Sequence, residues 1–170
     1  MSDGNGPPVT ADGHHIVVNG RRWRATDPSI PETLRQELVN ELMAARRAIR
    51  DADGEEAVQN ARDRVQDTKV ALGERGRPWW DPVTDESLAA RSASAAVALL
   101  RSRDTTSSIC PSDVARIVGG ERWRDHMAAV RTHLWAMVDD GVLRATQGDD
   151  DLTTRSGVKG PIRLRRGPRF

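Results

Sequence analysis

The sequence predicts a mainly α-helical fold with small β-hairpins. Three observations lead there: an Asn-Gly pair between two short runs near the start, apolar residues of helical period through the middle, and two alternating runs near the end. In order, Ile16-Val17-Val18 and Arg21-Arg22-Trp23-Arg24 flank Asn19-Gly20, a two-residue hairpin turn. Pairing across it sets Val18 opposite Arg21 and Ile16 opposite Trp23, with Trp23 expected to face the core. Pro31 suits a first helical turn, and Leu34, Leu38, Leu42, Met43 and Ile49 continue near a 3.6 period, so a helix is expected over about 31–51. After Ala52-Asp53-Gly54, a second helix carries Val58, Ala61, Val65 and Leu72, and Gly73 is placed to end it. The short loop makes these an antiparallel helical hairpin.

Residues 1–13 read as a disordered tail and 14–73 as hairpin plus helical hairpin. Residues 74–83 read as a connector whose Trp79-Trp80 pair docks on a neighbour. Over 84–166 the order of elements is more specific. A helix starts at Asp85-Glu86 and carries Arg101 and Arg103 at its end, so charge complements the dipole at both termini. Pro111 opens a short helix through Val114 and Ile117, Gly119-Gly120 turns, and a longer helix runs over about 123–140. Strands are expected over 142–147 and 161–166, where Ile162 and Leu164 alternate with Arg163 and Arg165. Three helices closed by a two-stranded wing are a winged helix-turn-helix, and 167–170 is a short tail.

Composition narrows the function classes. Leu, Ile, Val and Phe number 33 of 170, a small apolar supply, but a net charge of +1 removes the self-repulsion that disorders such chains, so small folded cores are expected. No apolar run reaches the roughly 20 residues of a membrane span, and the Gly/Pro/Asp-rich start lacks the order of an export signal. A single cysteine excludes an internal disulfide, and a cytoplasmic protein is expected.

The segment ICPSDVARIVGGERWRDHMAAVRTHLWAMVDDG with VLRATQG and KGPIRLRRG resembles a bacterial family known as domain of unknown function 3253, through Cys110-Pro111-Ser112, Trp123-Arg124 and Gly160-Pro161-Ile162-Arg163. The resemblance covers the last half of the chain, implies a winged-helix-like fold and brings no activity. Asp149-Asp150-Asp151 makes the wing more acidic than the family's. The first half, VVNGRRWRATDP through GERGRPWWDP, resembles actinobacterial proteins labelled biopolymer transporter Tol. An envelope transport role calls for a signal or a span, and the sequence shows neither.

A winged helix invites a duplex-DNA reading, with the longer helix in the major groove. Arg122, Arg124, Arg131 and Thr132 are the expected contacts on that helix. Arg155, Lys159, Arg163, Arg165 and Arg166 are expected on phosphates, because residues 84–154 hold 8 basic and 11 acidic side chains, net −3, whereas 155–170 hold 6 basic and none acidic. The competing expectation is a protein-interaction module or homodimer without DNA contact, with Trp79, Trp80 and Trp135 as interface anchors. No catalytic, cofactor-binding or metal-binding residue is expected, and the chain reads as non-enzymatic. His126 and His133 lie about 10 Å apart along one helix with no ligand between them. Cys110 precedes a helix, where capping or packing accounts for it better than reactivity. Arg21-Arg22-Trp23-Arg24 has the aromatic and guanidinium mixture that grips single strands, set against the core position expected for Trp23. The charges of the second helix, Glu55, Glu56, Arg62, Asp63, Arg64, Asp67 and Lys69, read as a solvated face with weak ion pairs.

Overall fold

A computed structural model describes residues 6–170. The mainly α fold with small β-hairpins is observed: five α-helices, one 3-10 turn and two antiparallel sheets among the described residues. Strands β1 (His15–Val18) and β2 (Arg21–Arg24) pair with Ile16 opposite Trp23 and Val18 opposite Arg21, the register the turn dictates. Asn19 and Gly20 both have positive φ, as a type I′ turn demands. Residues 1–5 of the expected disordered tail lie outside the described residues. Further along that tail, Val9 bridges Ile16, and Val17 N–H donates to the Pro8 carbonyl. The outer edge of β1 offers unpaired backbone groups, which a Gly/Pro-rich segment satisfies without burying side chains.

Helices α1 (Glu32–Asp51) and α2 (Glu55–Ala71) follow the expected boundaries closely. Helix α2 ends where Gly73 N–H bonds the Val70 carbonyl and Glu74 N–H bonds that of Lys69, the two bonds of a Schellman motif. Gly73 has φ +79°, and a Cβ there would sit 3.0 Å from the Trp79 ring, so glycine is required twice over. The solvated face expected for α2 holds at Glu55, Glu56, Arg62 and Asp63, which are exposed, and is corrected at Arg64, Asp67 and Lys69. Arg64 donates twice to Glu41, which is 2% exposed, and Asp67 accepts from Arg101. Periodicity in one helix does not show which charges the next helix will meet.

Helix α3 (Asp85–Ser102) begins with a reciprocal Thr84–Ser87 capping box and is the hub. It packs on α1 and α2 and also on α4 (Pro111–Gly119) and α5 (Trp123–Asp139). Ala95, Ala96 and Ala98 on it are fully buried, and such small side chains let neighbours approach. One apolar cluster therefore runs from Leu38 and Leu72 through Leu99 to Ile117, Leu134 and Leu164, where the composition suggested separate small cores. Three arginines of α3 and its C-terminus reach back to the first half: Arg91 to Asp27 at 2.8 Å, Arg101 to Asp67 at 2.6 Å and Arg103 to Glu37 at 2.7 Å.

A 3-10 turn (Gly120–Arg122) joins α4 to α5, and Gly141, at φ +77°, closes α5 with a second Schellman pair. The final sheet differs from expectation. It has three strands, β3 (Leu143–Gln147), β4 (Asp150–Leu152) and β5 (Arg163–Arg166), in the order β4-β3-β5. Its acidic sequence hides β4. Only Leu152 packs against the core, and the free edge of β3 plus the Arg144–Asp151 pair at 3.3 Å hold the strand. Ile109, between α3 and α4, bridges Leu164 on β5.

Candidate functional site

Helix α5 presents the residues singled out in the sequence, and its neighbours decide which of them are free. Its buried side carries Val130 and Leu134, with Trp123, Met127 and Val138 packed against the same core. Arg124, Ala128 and Thr132 are exposed on another side, and Arg131 beside them is half-buried. At two turns' separation, Arg124 and Arg131 stand about 10 Å apart along the axis. The Thr132 hydroxyl donates to the Ala128 carbonyl one turn back, leaving its oxygen lone pairs as acceptors. Arg122 is 81% exposed and paired with Asp125 at 2.8 Å, a contact of little energy in water.

Beside the start of α5 is a group that the sequence pattern did not reveal. The guanidinium groups of Arg124 and of Arg116, exposed on α4, lie 4.4 and 4.9 Å from the centre of the Trp123 ring. Both cations are thereby held at one end of α5. The only sequence signal was their position on either side of the Gly119-Gly120 turn.

The expected phosphate contacts of the C-terminal segment divide. Arg155 and Lys159 are exposed in the loop between β4 and β5. Arg163, Arg165 and Arg166 are half-buried and serve the fold. Arg163 donates to Ser108 and to the Cys110 sulfur, Arg165 to the Thr106 carbonyl, and Arg166 to the Leu100 and Arg103 carbonyls at the end of α3. These are carbonyls that a helix end leaves unpaired, so a guanidinium there is structural before it is a ligand for anything else. Of the five cations expected on phosphates, only Arg155 and Lys159 are exposed without a side-chain partner among the described residues.

The three indoles named as interface anchors do not form one exposed patch. Trp135 is 5% exposed and belongs to the core cluster, against which Leu152 of β4 and Val158 of the β4–β5 loop also pack. Trp79 donates its ring N–H to the Ala25 carbonyl, and Trp80 stacks on His14 with centroids 3.9 Å apart. Both are half-buried, docked on the hairpin. By contrast Trp23, expected in the core, is 41% exposed, with the Arg21 guanidinium 4.3 Å from its ring centre.

An open cleft of about 750 Å³ separates this connector from the α4–α5 turn. Arg75, Arg77, Trp80, Arg122 and His126 line it, as does the Arg91–Asp27 pair. Burial weakens the hold of Arg91 on its proton, and the Asp27 carboxylate opposes that loss. His133 does not meet His126; its Nε2 lies 3.0 Å from Asp85. Cys110 caps α4, with its N–H donating to Asp113 and its sulfur receiving Arg163. Among the described residues no group of three His, Cys, Asp or Glu side chains is placed to hold a metal ion. No helix among them is long and apolar enough to cross a membrane.

With this geometry in view, family comparison selects one half of the chain. Residues 89–167 match the family described as Protein of unknown function (DUF3253). The match takes in most of α3 and all of α4, α5 and the three-stranded sheet, and leaves the hairpin, α1 and α2 outside it. No curated protein matches the chain.

Proposed function

We propose that residues 84–166 form a winged helix that binds duplex DNA through α5, within a non-enzymatic, cytoplasmic regulatory protein. The element order supports the winged-helix reading: helix, bridging residue Ile109, helix, turn, helix, then a sheet in which β5 pairs with both β3 and Ile109. The single observation that carries the DNA reading is the side of α5 bearing exposed Arg124, Ala128 and Thr132 with half-buried Arg131, on which the neighbouring carboxylate, Asp125, is held by Arg122 at 2.8 Å. Arginine presents a planar fork of donors suited to guanine edges or phosphates, and a threonine oxygen accepts from an exocyclic amine.

Charge distribution sets the expected strength. With Arg163, Arg165 and Arg166 turned inward, the cations of this half open to a ligand are exposed Arg116, Arg124, Arg155 and Lys159, half-buried Arg131, and Arg122 through its weak surface pair with Asp125, and Asp149-Asp150-Asp151 opposes them on the wing. Few phosphate contacts mean modest affinity that falls steeply with salt. The test is fluorescence anisotropy of a labelled generic duplex at low salt. Arg124→Glu/Arg131→Glu is expected to abolish binding, while Arg155→Gln weakens it only about twofold to tenfold, the effect of one phosphate contact. Binding that survives the double charge reversal contradicts the reading.

A further inference from the structure

The N-terminal hairpin presents a partly exposed apolar face, which Lys69 of α2 covers only in part. Cross-strand partners share a face, so Val9, Ile16 and Trp23 form one row, with Val18 and Arg21 beside it. Val9 is 59%, Val18 39% and Trp23 41% exposed, an unusual concentration for so small a sheet. Cations rim it. Arg21 lies over the Trp23 ring, and the Lys69 ammonium is 5.6 Å from the ring centre. Arg46 and Arg75 act on Lys69 by charge, and Glu74, 3.9 Å from Lys69, is the carboxylate that answers them.

We propose that this face is a binding platform for single-stranded nucleic acid. A sheet surface with an exposed indole offers an unpaired base a stacking partner, on the ring or on the guanidinium already lying over it. Val9 and Val18 supply apolar contact for the base and sugar. Arg21 over the ring is the nearest cation for a phosphate, and Arg75, beyond Lys69, lines the cleft whose lining includes Arg122. Charge selects a polyanion for this face, and a flat guanidinium on a flat indole selects one whose units stack. The inference is independent of duplex binding by α5.

The test uses the full chain and a fluorescein-labelled oligothymidylate of about 12 nucleotides, within the span of one such platform. Trp23→Thr, which keeps a β-branched residue in the strand, is expected to weaken binding about 5- to 150-fold, and Trp23→Phe far less. Arg124→Glu/Arg131→Glu is expected to leave single-strand binding in place, and Trp23→Thr to leave duplex binding in place. An abasic deoxyribose-phosphate strand of the same length provides a reading on the unaltered protein and is expected to bind at least about tenfold more weakly. Equal binding of the abasic strand overturns the proposal, as does unchanged affinity in Trp23→Thr or no single-strand binding at low salt. So does quenching of Trp23 by phosphatidylserine vesicles in place of the oligonucleotide, or a shift to dimer that Trp23→Thr abolishes.

Discussion

Asp27 shows how far a single buried side chain can be followed. Its two carboxylate oxygens are fully used: Oδ1 accepts from the Ser29 N–H and hydroxyl, and Oδ2 from Arg91. Arg91 spends a second donor on the Ala71 carbonyl, so one ion pair ties α3 to the end of α2 and to the segment before α1. Removing one partner leaves an uncompensated buried charge, and Arg91→Leu is expected to cost about 3–5 kcal/mol in urea unfolding. A loss below about 1 kcal/mol contradicts this role. Lys69 gives a pH prediction. Burial, ahead of the charges of Arg75 and Arg46 and against Glu74, lowers its pKa from the ordinary 10.5. The charged form is thus disfavoured in the folded state. The penalty is complete below the folded pKa and fades as pH climbs through it to 10.5. Relative to Lys69→Met, the stability of the unaltered chain should therefore rise over that alkaline window, which paired urea titrations measure. None of these partnerships was legible in the sequence. A count of charges in residues 155–170 found six cations and no acid. It could not register that backbone carbonyls would occupy Arg163, Arg165 and Arg166.

At the scale of elements, local chemistry was legible wherever it acts over a few residues. Asn19-Gly20 set the register of the first hairpin, and Pro111, Gly73 and Gly141 marked helix ends that the structure places within a residue or two. Strand β4 was not legible, because its stability comes from the edge of β3 and one arginine rather than from its own side chains. The outward face of the hairpin was missed for a similar reason. Alternation says that Trp23 and Ile16 share a side but not which side another element will cover. The α4–α5 turn permits a test of local geometry. Gly120 has φ +54°, and a Cβ there would lie 2.7 Å from the Ser29 hydroxyl, whereas Gly148, at φ +59°, faces open space. Both alanine substitutions carry a positive-φ backbone cost; at Gly120, where ψ is −134°, it is on the order of 1–3 kcal/mol, and a clash with the segment before α1 adds to it. Gly120→Ala is therefore expected to lower the thermal midpoint clearly more than Gly148→Ala. Equal midpoints would show that Ser29 moves aside freely.

Across the whole molecule, α3 is shared: one apolar cluster and three ion pairs join the halves on either side of residues 74–83. Calorimetry should therefore show a single unfolding transition with equal calorimetric and van't Hoff enthalpies, and two resolved transitions would contradict this coupling. The family match, residues 89–167, covers one side of this joined structure and leaves the hairpin, α1 and α2 outside it. In the proposed function, α5 supplies the cations that meet DNA while Arg163, Arg165 and Arg166 serve the fold. The slope of log Kd against log salt for a generic duplex tests it most directly. Each phosphate contact removed lowers that slope by about 0.9, so Arg124→Ala/Arg131→Ala should reduce it by as much as about 1.8, and Arg163→Ala should leave it unchanged below its melting temperature. An unaltered slope in the α5 double variant, or a reduced slope in Arg163→Ala, would contradict the claim.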